Sequence, residues 1–400
     1  MQKATVRELT NLKGKRIFLR ADLNVPQDDQ GKITSDKRIK ASLDTIKYLL
    51  DKEARVILSS HLGRPKGRDE KLTLKPVFER LGELLPQTKI YFAKDCIGKE
   101  VEKQVEGLKN GELLLLENLR YYKEEEANDP EFAKKLGLLA DYYVNDAFGA
   151  AHRAHASTEG ITRYMPAVSG FLMEKEIKIL GEAINNPKRP LTVILGGKKL
   201  ADKIGVIDGV LKVANNIVIG GGMSYTFAKA FGGQIGNSIC DDNLLEYCRK
   251  VTEEAKKRDV NLVLPIDSVV ADDYSNDAHT MIVPTHEIPN GWEGLDIGPR
   301  TIEEFKKVIM QSGTVIWGGP LGVFEFDKFS NGMREIAHAV IDSGAVGILG
   351  GGDTASAAKK LGLADKFMHI STGGGATLEF LEGKKLPGVE ALLDINAKIV

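Results

Sequence analysis

Cysteine is scarce in this chain, three in 400 residues (Cys96, Cys240 and Cys248), and no two form a CxxC pair. That excludes a disulfide framework and a cysteine-based zinc or redox motif, and it fits a reducing compartment. An excess of one charge is also missing: 55 Lys and Arg against 56 Asp and Glu leave a formal net charge of -1. Nothing in that balance calls for nucleic acid or an acidic membrane as a partner, so a basic site has to be local. No apolar run approaches the roughly 18 residues that a membrane-spanning helix needs. The N-terminal stretch MQKATVRELTNLKGKR has no apolar segment long enough for a signal peptide. A cytoplasmic protein is expected.

What is present is alternation. Hydrophobic residues make up 42% and charged residues 28%, a globular balance, and the length suits two domains. In the first half the strand candidates are RIFL (16–19), RVILSS (55–60), KIYFA (89–93), LLLL (113–116) and YYVN (142–145). Between them, IKASLDTIKYLLD (39–51), LKPVFERLGELL (74–85) and EFAKKLGLLA (131–140) carry apolar residues at helical spacing. The second half repeats the rhythm with LTVIL (191–195), NIVIG (216–220), LVLPI (262–266), TVIW (314–317), VGILG (346–350) and FMHIS (367–371). Strands alternating with helices of this length predict an α/β fold of βαβ units, with parallel sheets covered on both faces. The polar helix and proline-rich exit EKEIKILGEAINNPKRP (174–190) reads as the connector between the halves.

Open parallel sheets bind ligands beyond the carboxyl ends of their strands. In the first half those ends read RADLN (20–24), HLGRP (61–65), ENLRYY (117–122) and NDAFGAAHR (145–153). They bring Arg20, Arg64, Arg120 and Arg153 toward one edge, and Arg38 opens the next helix. Guanidinium forks match carboxylate and phosphate oxygens, so the cluster points to a small polyanion. In the second half the strand ends carry glycine: LGGKKLADKI (195–204), IGGGMSYTF (219–227), WGGPLGVFEF (317–326), LGGGDTASAA (349–358) and STGGGATLEF (371–380). Glycine turns before helices admit phosphate to backbone N–H groups. Lys199 and Lys203 follow one such turn, and Asp353 and Thr354 follow another, which reads as a nucleotide domain with Asp353 as a magnesium ligand, direct or through water.

Rival readings lose ground on residues. GGGDTA (350–355) matches a dinucleotide fingerprint, but the following strand ends in Ser371 and Thr372 where an acid is required. No GK[ST] triplet supports a Walker ATPase, and HRA (152–154) is not a kinase HRD loop. A non-enzymatic nucleotide sensor has no use for the arginines. His152 and His155 stand three apart with no acid between them, unlike the HExxH of zinc hydrolases, so they read as part of an anion site.

The motifs RADLNVP, HLGRP, ENLRYY, NDAFGAAHRAHAS, ILGGKKLADKI, GGGMSYTF, LDIGP (295–299), GVFEFDKF, GGGDTA and STGGGATLEF together resemble the phosphoglycerate kinase family, over essentially the whole chain. The resemblance implies two doubly wound, Rossmann-like parallel-sheet domains facing a cleft and joined by a helical hinge. Residues 1–172 would hold phosphoglycerate, 173–188 form the hinge and 189–387 hold nucleotide, with 388–400 packing back on the first domain. It implies reversible transfer of an acyl phosphate from 1,3-bisphosphoglycerate to Mg-ADP by a monomer, without a covalent enzyme intermediate. Matched by motif, Asp22, Asn24, Arg38, His61, Leu62, Gly63, Arg64, Arg120 and Arg153 fall at phosphoglycerate positions. Lys203, Gly294, Glu325, Gly351, Gly352, Asp353 and Thr354 fall at nucleotide positions, and Asp353 is the metal ligand. Arg38, Lys199, Gly374 and Gly375 are the expected catalytic groups, and Glu174 and His369 are expected near the hinge. Two positions depart from the family pattern: Lys198, where alanine is usual, and Gly318, where asparagine is usual.

Overall fold

The structure is a computed structural model that describes residues 2–397. The chain divides into two compact units, residues 1–178 with 385–400, and residues 179–384. The helix Phe171–Asn185 runs from one into the other.

Unit one is built on six parallel strands: β1 (Arg16–Ala21), β2 (Arg55–Ser59), β3 (Ile90–Phe92), β4 (Leu113–Leu115), β5 (Tyr142–Asp146) and β6 (Ala167–Ser169). Their order across the sheet is β3-β4-β2-β1-β5-β6. β1 and β2 are buried after their first residue and β4 throughout, as expected of strands with helices on both faces. Ile17, Leu19, Val56, Leu58, Leu113, Leu115 and Val144 from the strands pack with Ile39, Ile46, Val77 and Leu81 from the helices Lys37–Asp51 and Lys75–Leu84. The helix Pro130–Gly137 starts on an Asp129 side chain that accepts from Phe132 N, with proline at its first position where a missing N–H costs nothing.

The last described residues also lie on unit one. Ala4 N donates to Leu393 O, Leu393 N to Ala167 O, and Gly388 N to Ala151 O. Within NDAF, Asn145 Nδ2 donates to Gly388 O, and Asp146 Oδ1 accepts from Leu172 N and Met173 N at the start of the helix Phe171–Asn185.

Unit two repeats the plan. Its six parallel strands lie in the order Asn261–Val263, Asn216–Ile219, Leu191–Leu195, Thr314–Gly318, Val346–Gly350, His369–Ile370. Trp317, Phe305, Ile336 and Met333 dominate one side of its core. Three features depart from the expected strands. LVLPI does not continue to 266: the parallel strand ends at Val263, and Pro265, which has no N–H for a ladder, separates it from Asp267–Ala271. Asp267–Ala271 centres a small antiparallel sheet with Thr280–Pro284 and Glu293–Ile297, so the second half is not built of parallel strands alone. FMHIS shortens to His369–Ile370.

The two central strands of unit two end in loops that lock together. Gly196 N donates to Gly318 O, and Gly197 N to Pro320 O. A Cβ on Gly319 would stand 2.1 Å from Gly196 O, at a φ of +100° that side chains avoid. Gly318, one residue earlier, has room: a Cβ there meets nothing closer than 3.7 Å. Gly319→Ala is expected to destabilise unit two by about 2 kcal/mol or more, and Gly318→Ala to change it by less than about 1 kcal/mol. Urea unfolding followed by tryptophan fluorescence tests this, since both tryptophans, Trp292 and Trp317, belong to unit two.

Candidate active site

In unit one the strand order reverses beside β1: the chain adds β2, β3 and β4 on one side, then returns to place β5 on the other. The loops leaving the carboxyl ends of β1, β2, β4 and β5 meet around that point, where open α/β sheets bind ligands. Arg20 ends up near the end of β1, His61 just beyond β2, Arg120 in the turn after β4, and His152, Arg153 and His155 after β5. Arg38 is the second residue of the helix Lys37–Asp51.

Hydrogen bonds join these loops. Arg20 Nη2 lies 3.1 Å from His61 Nδ1, and Gly63 N donates to Asn24 Oδ1 at 2.9 Å. Arg120 Nη1 donates to Gly63 O at 2.7 Å, and Arg38 Nη1 pairs with Asp22 Oδ2. Asn118 acts as the clasp: its Oδ1 accepts from Leu62 N and Arg120 N, and its Nδ2 donates to Leu62 O and Leu72 O. The N–H groups of Leu62 and Gly63 are therefore spent inside the protein. Arg64 is exposed on the same loop, and Arg153 Nε donates to the neighbouring His152 Nε2.

Acids are few among these cations. Asp22 serves Arg38, and Glu126 Oε1 lies 3.4 Å from Arg120 Nε without forming a hydrogen bond. Glu125 is wholly buried beneath the loops, where Ser157 N and Oγ donate to its carboxylate at 2.9 and 2.5 Å. Arg120 is 8% exposed, and its buried Nε has no hydrogen-bond acceptor. Burial, reinforced by the arginines, holds the histidines neutral: His61 far below the usual imidazole range, His152 below it and His155 pushed down to about 3.

In unit two the glycines fall into two kinds. Some are required by the protein itself: a Cβ on Gly294 would overlap the Tyr225 hydroxyl, at 2.0 Å. Others face open space. A Cβ on Gly197, Gly352 or Gly374 meets nothing within 4 Å, and these three lie in the turns beyond Leu191–Leu195, Val346–Gly350 and His369–Ile370. Lys198 and Lys199 are exposed beside the first turn, and Lys203 lies half-buried a few residues on. Burial holds the Lys203 ammonium below the ordinary lysine range, against the pull of Asp202, Asp353 and Glu382. Gly351, at φ +90°, turns the chain into the helix Gly352–Lys360, where Asp353 is exposed in the first turn. Thr354 is buried and accepts from Gly319 N at 2.6 Å, so it ties that helix to the locked loops. Gly374 and the exposed Gly375 open the helix Gly375–Leu381, and the Glu325 side chain is exposed. Of the two residues expected near the hinge, Glu174 pairs with Arg7 Nη1 at 2.5 Å, and His369 is buried on its strand.

Sequence reasoning missed Asn118, Glu125 and Ser157, which hold the cationic loops in place. Asn118 and Glu125 lie within or just after ENLRYY, the stretch that gave Arg120, but neither residue type signals a buried clasp on its own. No group of three or more His, Cys, Asp and Glu suited to a metal occurs among the described residues. Among them, too, no helix is long and apolar enough to cross a membrane.

A cation cluster lies at the strand ends of one parallel-sheet unit and open glycine turns flanked by lysines at those of the other, and the family that this α/β chain matches is one of phosphotransferases. The phosphoglycerate kinase family profile matches residues 6–384. The chain is 54% identical over 398 residues to phosphoglycerate kinase of a Nostoc species, covering 98% of this chain and 99% of that protein. It is 56% identical over 386 residues to a wheat (Triticum aestivum) protein named phosphoglycerate kinase, cytosolic, covering 96% of each. The solved structure of phosphoglycerate kinase from Coxiella burnetii matches at a TM-score of 0.88 and 38% identity, covering 97% of this chain and 98% of that one. The chain belongs to the phosphoglycerate kinase family, kinases of glycolysis.

The neutral histidines have a measurable cost in acid. An unfolded histidine binds a proton below about pH 6.5, whereas folded His155 refuses it until about 3. Stability contributed by the neutral ring is thus complete above pH 6.5 and is lost as pH falls toward 3. Asp146, pushed up to about 6 by burial, acts in the opposite sense, gaining stability between about 6 and 3.8. Replacing His155 by Gln isolates the first effect. The urea midpoint of His155→Gln is expected to fall less between pH 7.5 and pH 5 than that of the unaltered chain, followed by circular dichroism. Equal slopes would contradict it.

Proposed function

We propose that the cationic edge of unit one binds 3-phosphoglycerate or 1,3-bisphosphoglycerate, and that the glycine turns of unit two bind ADP or ATP. The observation that carries this reading is Arg120, a buried guanidinium with Nε unspent among further arginines and neutral histidines. A carboxylate or phosphate oxygen supplies the missing acceptor. Asn24, His61, Arg64, Arg120 and Arg153 hold the substrate, and Asp22 aims Arg38. Leu62 and Gly63 contribute the shape of their loop, because their N–H groups are already committed. Lys203, Gly294, Glu325 and the turn Gly351, Gly352, Asp353 and Thr354 surround the nucleotide. Glu325 offers a carboxylate to ribose hydroxyls.

The chemistry needs little from the protein beyond position and charge. The carboxylate of 3-phosphoglycerate is ionised at neutral pH, so no base has to take a proton from it, which agrees with histidines held neutral and Nδ1 of His61 already engaged. The phosphoryl group passes in line from one oxygen to the other, without a covalent enzyme intermediate. Arg38 and Lys199 neutralise charge on its equatorial oxygens, and the N–H groups of Gly374 and Gly375 add to them. The two ligands are held on different units, so movement about the helix Phe171–Asn185 is part of the cycle.

A single exposed carboxylate with no metal cage around it suits a magnesium ion that arrives on nucleotide phosphates and keeps most of its waters. Asp353 would hold it, and the bound ion supplies neutralisation of phosphate charge. The chain works as a single copy in the cytoplasm, without nucleic acid or membrane. The cytosolic designation of the wheat relative supports that location.

A coupled assay with 3-phosphoglycerate, ATP and magnesium is expected to show turnover, and its absence would sink the assignment. In the same assay Arg38→Ala is expected to lower kcat about 100-fold or more while the KM for ATP changes less than about threefold. A raised ATP KM with normal kcat would remove Arg38 from the reacting phosphoryl group.

A further inference from the structure

We infer that Arg20 is a positioning residue that holds His61 in one neutral tautomer, with its ring proton on Nε2, and so fixes what His61 offers to the substrate. A guanidinium donates hydrogen bonds and accepts none. Arg20 Nη2 lies 3.1 Å from His61 Nδ1, so Nδ1 has to carry a lone pair. An imidazolium has N–H on both nitrogens and would set one against the Arg20 N–H. The neutral ring protonated on Nε2 is the form that satisfies both partners.

Arg20 has no freedom to turn away. It is 1% exposed, its Nε donates to Ser157 Oγ at 2.8 Å, and its Nη1 donates to Ala21 O at 2.5 Å. Ser157 is held in turn: its Oγ and N donate to Glu125, and its carbonyl accepts from the Tyr143 hydroxyl at 2.7 Å. A buried chain, Glu125–Ser157–Arg20–His61, thus runs from the interior to the anion site. All three guanidinium nitrogens are engaged within the protein, which separates Arg20 from the arginines available to a substrate. The charged and titratable groups acting on His61 are Arg20, Arg120, Arg38 and His155, and all of them disfavour a second ring proton.

The tautomer follows from these contacts alone. Its consequence rests on the anion-site reading above: His61 presents one directional N–H donor whose state does not change through neutral pH.

The test uses the full chain labelled with 15N in histidine, with the His61 signals assigned by their loss in His61→Gln. Long-range proton–nitrogen spectra are expected to show an unprotonated Nδ1 and a protonated Nε2, unchanged from about pH 8 to about pH 5.5. A proton on Nδ1, a mixture of tautomers, or titration within that range overturns the inference. Arg20→Met removes the donor. It is expected to give a tautomer mixture that titrates, and a KM for 3-phosphoglycerate raised roughly tenfold and newly dependent on pH, with the KM for ATP unchanged. Arg20→Lys, which keeps a donor, is expected to restore the Nε2–H form in part. An unchanged His61 spectrum in Arg20→Met also overturns it. Should Arg20→Met fail to fold, the spectrum of the unaltered chain decides. An inactive enzyme with the expected tautomer would sink the assigned function and leave this inference standing; an active one with the wrong tautomer does the reverse.

Discussion

Cations gathered with too few acids repel one another, and the first unit is arranged around that repulsion at the carboxyl edge of its sheet. Each guanidinium is handled differently. Arg20 is sunk over Glu125 through Ser157, Arg38 is paired with Asp22, and Arg120 is left with an unspent nitrogen. The histidines escape the conflict by remaining neutral. The fold tolerates the arrangement because the loops are clamped by Asn118 and rest on strand ends that are buried. An anion bound among these cations, as proposed, would relieve their repulsion, so binding and the local stability of these loops would be linked.

Much of this was legible in the sequence because two regularities act together. Strands buried on both faces leave short apolar runs, and parallel order sends every chemically active loop to one edge. RADLN, HLGRP, ENLRYY and NDAFGAAHR could therefore be placed side by side before any coordinates, and the glycine turns of the second half likewise. What escaped depends on partners distant in sequence. Nothing near Arg20 reveals that it is buried over Glu125, more than a hundred residues away. Nothing near Gly294, matched by motif to a nucleotide position, reveals that the Tyr225 hydroxyl leaves no room there for a side chain. LVLPI kept its apolar pattern past the strand's end, since hydropathy does not register that Pro265 lacks an N–H. The small antiparallel sheet was hard to see because Thr280–Pro284 is partly exposed rather than an apolar run buried on both faces, and one pairing carries a bulge between Val269 and Val270.

Unit two answers a different problem, how to keep backbone open at the strand ends without letting it collapse on itself. The locked loops around Gly196 and Gly319 fill their own space and fix the strand ends. Thr354 extends that fixity to the helix Gly352–Lys360. The open turns at Gly197 and Gly352 are thus tied to the locked loops, the first through Gly197 N to Pro320 O and the second through Thr354. The two kinds of glycine are complementary, one supplying rigidity and the other access.

The return of the chain to unit one also orders its biosynthesis. Ala4 and Ala167 hydrogen-bond to Leu393, and Lys3 reaches Asp394. On the ribosome, residues 179–384 emerge before residues 388–394 do, so unit two has all of its own sequence available first. The unit that is translated first is therefore the one completed last: Ala4 can bond Ser169 of β6 early, but Ala167 waits for Leu393.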